Sequence, residues 1–271
     1  MIPRPPGSLN GPDPIHPRTI RFCKRAAAAY ELALAPMNEP AKPRDLARVR
    51  YVDDFEQLVG TPFSGTVNAL CWRRKPEGDF SEVAAALAAA PGITPLSPQE
   101  LRSLRLGAAG QRAVEWMLAD LDLLEQAGLQ PSLDSVNGYT HPLLEEPLRT
   151  DVCSFHADSA TAEADTFLCT YHGASSWGLL NEEAACKVDL PEVRACLLAA
   201  YGGPDDGEFQ TWLEDHFHDL HYRMLPGARP YSFEAGNLWR VATSWPGSPV
   251  PPCIHRAPDP VPGETRLLLI S

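Results

Sequence analysis

The sequence lacks any apolar run long enough to cross a bilayer: its longest, Val83 to Ala90, falls far short of the roughly 20 residues a span requires. It lacks a CxxC pair as well. The seven cysteines, Cys23, Cys71, Cys153, Cys169, Cys186, Cys196 and Cys253, are odd in number and scattered. That distribution fits reduced thiols in a cytoplasm better than a disulfide framework, and it disfavours a cysteine-ligated zinc. Basic charge is in deficit: 23 Lys and Arg against 35 Asp and Glu give a net charge of −12, which repels phosphate backbones and anionic membranes. The expected partners therefore include neither nucleic acid nor membrane, and the expected location is cytoplasmic. There is no P-loop, no GxGxxG and no internal repeat. In Arg21 to Met37, basic residues precede an alanine run, but Glu31 interrupts it, so the segment reads as a helix rather than a signal peptide.

What is present divides by texture. Residues 1–19 carry six prolines and read as an irregular arm. Residues 20–130 read as a helical layer with helices near 24–35, 53–59 and 81–90 and a strand over 66–72. Ser97-Pro98-Gln99-Glu100 is a capping box with proline at the first helical position, starting a helix that Gly107 is expected to end. Val114, Met117, Leu118, Leu121 and Leu124 follow a 3.6-residue stripe closed by Gly128, a helix expected against the outer face of a sheet. From residue 131 to 271 the pattern turns to short β runs at 134–139, 151–157, 166–172, 237–244, 249–256 and 265–270. A helical insertion over 180–225, with helices expected at 182–200 and 210–222, separates the third from the fourth. Short strands broken by Gly and Pro point to a sandwich or barrel rather than a doubly wound sheet.

Within that β-rich half, His156 and Asp158 lie two apart, so a pleated strand would turn both side chains to one face. His255 supplies a third ligand from a later strand. Two imidazoles and one carboxylate grouped on one side of an ion leave adjacent positions open, the donor set expected for non-haem iron(II). Arg266 follows His255 with ten residues between. HxD alone occurs by chance in many proteins; the conjunction of HxD, a distant His and a closely following Arg carries the weight.

In order and spacing, HxD…H…R resembles the iron(II)/2-oxoglutarate oxygenase superfamily. That resemblance implies an α+β chain with a double-stranded β-helix, jelly-roll or cupin-like core. It also implies Fe(II) on His156, Asp158 and His255, 2-oxoglutarate anchored by Arg266, and dioxygen and a small organic substrate as reactants. Trp72-Arg73-Arg74, Phe155 to Asp158, Leu168 to Gly173 with Trp177, Glu234 to Leu238, and His255 to Pro258 before Arg266 to Leu269 are together similar to the bacterial domain-of-unknown-function 1826 family. This second resemblance covers residue 50 onward and implies the same fold and triad without implying a substrate. His172 stands where that family is expected to carry arginine.

Further expectations follow from parity and composition. Cys253 and Ser154 should face the same interior as His255 and His156, as pocket lining or ligand support. Arg256 should point the other way, into an ion pair or to the surface. Tyr171, Trp177, Trp239 and Trp245 are candidates for a substrate pocket, although such aromatics more often fill cores. His216, His218 and His221 invite a second metal site, against the plainer reading of a solvated helix face whose core side is Trp212, Leu213, Phe217 and Leu220. Two other functions share the triad: a cupin-like zinc or iron protein without turnover, and an iron oxygenase that needs no 2-oxoglutarate.

Overall fold

The computed structural model describes residues 46–87, 90–139 and 147–271. The expected arm over 1–19 and the helix near 24–35 lie outside those residues. The chain is a mixed α/β protein built on a seven-stranded sheet in the order β1-β2-β10-β5-β12-β4-β3. Its strands are β1 (Val49–Val52), β2 (Ala69–Trp72), β3 (Gly92–Pro95), β4 (Ser132–Asn137), β5 (Asp165–His172), β10 (Leu238–Ala242) and β12 (Arg266–Ile270). Only β1 and β2 pair in parallel; every other pairing in this sheet is antiparallel. A three-stranded sheet joins β11 (Ile254–Arg256), β6 (Trp177–Leu179) and β9 (Tyr231–Ser232), and β7 (Ala184–Cys186) pairs with β8 (Tyr222–Met224).

Helices cover one face of the large sheet. α1 (Phe55–Gly60) and α2 (Phe80–Ala86) are capped by Asp54 and Asp79, whose carboxylates accept from backbone amides of the first turn. The capping box forms as the sequence predicts and opens α3 (Pro98–Ser103). That helix stops before Gly107, which instead caps the start of α4 (Ala108–Gln126). α4 buries its stripe of Val114, Met117, Leu118, Leu121 and Leu124 against Leu133, Phe167, Cys169, Tyr171, Leu267 and Leu269 of the sheet. Alternate residues of those strands point the other way. On that inner face Leu168, Trp239 and Val241 pack with Tyr231, Phe233 and Cys253 of the small sheet's segments. With both faces covered, β5 shows an almost continuous buried run.

Several expectations need correction. The segment before α4 is more than helical: the expected strand over 66–72 forms as β2 (Ala69–Trp72), and β1 and β3, which were not expected, form the two edges of the large sheet. Residues 151–157 do not form a strand: Asp151 accepts from the Cys153 amide at 2.8 Å and its carbonyl takes the Ser154 amide, which makes a turn. The expected strand over 249–256 shortens to β11 behind Pro249, Pro251 and Pro252, which have no N–H to give a ladder. In the insertion, Pro191 delays the helix, so α5 runs Pro191–Tyr201 behind two 3₁₀ turns and β7. α6 (Gly207–Asp215) ends early because Phe217 adopts a left-handed conformation, φ 60°, and a 3₁₀ turn follows.

Candidate metal centre

The three proposed ligands converge. His156, Asp158 and His255 each offer one ligand atom, all within 4.8 Å of one another. Nε2 of His156 lies 3.6 Å from Oδ1 of Asp158, and Nε2 of His255 lies 3.6 Å from Oδ2. The backbone arranges this. His156 and His255 exchange both main-chain hydrogen bonds at 2.9 Å, as an isolated antiparallel bridge. Although 151–155 is a turn, the chain is therefore extended at His156, and the two-residue offset still brings Asp158 alongside. The Ser244 amide donates to the Asp158 carbonyl at 2.7 Å and fixes that end.

Each ring is oriented from behind. Nδ1 of His156 faces the Ser154 carbonyl at 2.8 Å and Nδ1 of His255 faces the Cys253 carbonyl at 3.3 Å. A carbonyl can only accept, so Nδ1 carries the proton and Nε2 keeps its lone pair for a ligand. Burial, reinforced by His255, pushes His156 down to about 4, so it stays neutral at pH 7. Burial alone would raise Asp158. The two histidines and a 2.6 Å bond from the Thr166 hydroxyl outweigh it and hold the carboxyl below its usual range. A neutral imidazole beside an ionised carboxylate is the state a divalent cation requires, so these residues fit a metal.

The triad opens into a cavity of about 510 Å³ that Arg266 also lines. Arg266 is 7 % exposed. One of its terminal nitrogens donates to the Thr170 and Ser176 hydroxyls at 2.9 and 2.8 Å, whereas its buried Nε has no partner among the described residues. No carboxylate among those residues pairs with it, and burial lowers its pKa.

The other predicted site residues lie elsewhere. Cys253 is in the core near the Tyr231 hydroxyl, and Ser154 accepts from Lys187 at 2.9 Å. Tyr171 is on the opposite face of the sheet, donating to Asp120 at 2.6 Å. Trp239 is buried with its indole N–H on the Phe233 carbonyl. Trp177 lies beside Arg256, which is buried and paired with Asp259. Trp245 borders a separate small pocket beside Arg240. None of these residues lines the cavity. His216, His218 and His221 do not converge on a ligand position either; among the described residues the triad is the one such group. His221 instead bridges His156 through the backbone and stacks on its ring at 5.7 Å. Thr166, Thr170, Ser176 and Asp134 were missed. Thr166 and Thr170 share the parity of Leu168 on β5, a period-two signal already present in the sequence.

No protein-family model matches the chain, and no curated protein matches it. Among the described residues, no helix is long and apolar enough to cross a membrane.

Proposed function

We propose that the chain is a non-haem iron(II)- and 2-oxoglutarate-dependent oxygenase acting on a small organic substrate. One observation carries this: among the described residues, a donor set of two histidines and one aspartate shares its cavity with a buried arginine that has no carboxylate partner. A desolvated guanidinium is costly unless an anion meets it. The far carboxylate of a 2-oxo diacid is the anion that its unused donors could meet with charge-assisted bonds. Thr170 and Ser176 hold one terminal nitrogen, which fixes the plane of the guanidinium and leaves Nε and the other terminal nitrogen as those donors. Iron(II) on His156, Asp158 and His255 would supply the redox chemistry toward dioxygen. The carbonyls of Ser154 and Cys253 and the Thr166 hydroxyl keep those three side chains aimed.

The large and small sheets, packed through Leu168, Trp239, Tyr231 and Cys253, belong to the same proposal as the two halves of a double-stranded β-helix. A reducing cytoplasm suits both iron(II) and the described cysteines, all of which are free.

The test is protein purified under nitrogen, analysed for metal and then assayed for succinate release with iron(II), 2-oxoglutarate and dioxygen. Release that needs all three and disappears in His255→Ala supports the proposal. Tightly held zinc that iron does not displace, with no succinate formed, would replace it with a metal-holding protein.

A further inference from the structure

Among the described residues, three carboxylates line the cavity, and two of them are already matched. Asp158 belongs to the triad. Asp151 takes Nε of Arg149 at 2.8 Å on one oxygen and the Cys153 amide at 2.8 Å on the other. Asp134 is the third. It is 8 % exposed and sits on β4, between Leu268 of β12 and Pro95 of β3 in the pairing register. Among the described residues, the one hydrogen bond to its carboxylate comes from the Ser132 hydroxyl, at 2.9 Å to Oδ1. Among the described residues it has no ion pair with Lys, Arg or His. Burial without a cation raises its carboxyl above the usual range. An isolated carboxylate in an apolar wall is a standing cost that a cation arriving there would relieve.

The surroundings of Asp134 are apolar. Val136, Leu168 and Leu268 line the same wall. Six large hydrophobic residues stand exposed among the described ones, and three of them line this cavity: Ile93 at 56 %, Val152 at 45 % and Ile270 at 38 %. Single exposed apolar side chains are ordinary, but their concentration at one cavity marks a binding surface.

We propose that the cavity receives an apolar molecule bearing a protonated amine, with the ammonium on Asp134 and the body along Leu268, Ile270 and Val152. Calling that molecule the substrate rests on the oxygenase reading; the binding itself does not. Opposite charges then sort the two organic reactants. Arg266 takes the dicarboxylate, and Asp134 takes the amine and repels carboxylates. The net charge of −12 further favours approach of a cation.

The test uses the chain as purified and titrates octylamine, octanol and octanoate by calorimetry at pH 7.5, each below its aggregation limit. Octylamine is expected to bind at least about ten-fold tighter than octanol, and octanoate, which Arg266 can hold in the parent, is expected to be the weakest of the three in Arg266→Met. Asp134→Asn should erase that preference while octanol binding persists, and Asp151→Asn should retain it. Equal binding of octylamine and octanol by the parent, no binding of any of the three, or a preference that survives Asp134→Asn would overturn the proposal. The parent's ranking stands even if a variant fails to fold. Because the titration needs neither iron nor 2-oxoglutarate, its failure leaves the succinate assay intact, and a failed succinate assay leaves the ranking intact.

Discussion

In Arg266→Met the cavity loses a buried cation but keeps a flexible apolar chain of similar length. Arg266 is 7 % exposed, donates to two hydroxyls and leaves Nε without a partner among the described residues. Burying an uncompensated charge costs several kcal/mol, and two hydrogen bonds from a charged donor return about 1.5–3 kcal/mol each. These terms nearly cancel, so the ligand-free variant should be within about 2 kcal/mol of the parent. At roughly 2–4 °C per kcal/mol for a chain of this size, the melting points should differ by less than about 8 °C. Ligand binding should change far more. Losing two charge-assisted hydrogen bonds to the carboxylate removes about 3 kcal/mol or more, over a hundred-fold in 2-oxoglutarate affinity. Scanning calorimetry under nitrogen with iron(II) reads both effects. At about 100 times its dissociation constant, 2-oxoglutarate should stabilise the parent by about 2.7 kcal/mol, whereas the variant at the same concentration should gain no more than about 0.4 kcal/mol. An undiminished shift in the variant, or a ligand-free melting point more than about 15 °C lower, would refute the reasoning.

Three further outcomes follow from the packing. Asp120→Ala strands Arg74, whose pair with Asp120 is buried on both sides; the loss should be about 3–5 kcal/mol in urea unfolding, and Arg74→Met with Asp120→Leu should restore part of it. Gly178→Ala places a Cβ 2.2 Å from the buried Tyr231 ring, on the strand directly opposite His255. It should destabilise by about 1–3 kcal/mol and weaken metal binding in an equilibrium titration, and unchanged metal affinity would separate strand from ligand. Burial, then His216 and His221, push His218 from 6.5 down to about 3. The unfolded chain therefore binds the extra proton between those values. Its contribution is complete above about pH 6.5 and is lost as pH falls toward 3. His218→Leu should flatten the acid limb of urea midpoints measured from pH 7.5 to 4.5, although not completely, because His156 is lowered too.

The capping box at Ser97 and the stripe of α4 were legible because both are local: a few residues at fixed spacing determine them whatever lies beyond. The triad was legible for another reason. Donor type and order restrict the chemistry even where the strand assignment fails, as it does over 151–157. The pocket walls were not legible. Parity placed Cys253 and Ser154 in an interior, but two interiors exist, and both residues lie in packed core rather than in the cavity. Tyr171 was lost the same way, because a sheet covered on both faces gives no amphipathic signal to say which side holds the ligand. β3 was invisible since Gly92-Ile93-Thr94-Pro95 has one exposed edge and little apolar pattern.

The reciprocal main-chain bridge between His156 and His255 means that two candidate ligands from distant parts of the chain are spaced by peptide groups and need no ion to bring them together. A container built this way keeps its shape when emptied. Chelation should therefore yield a refillable protein rather than an unravelled one, and ions of similar size would compete for a seat whose dimensions were set when the chain folded.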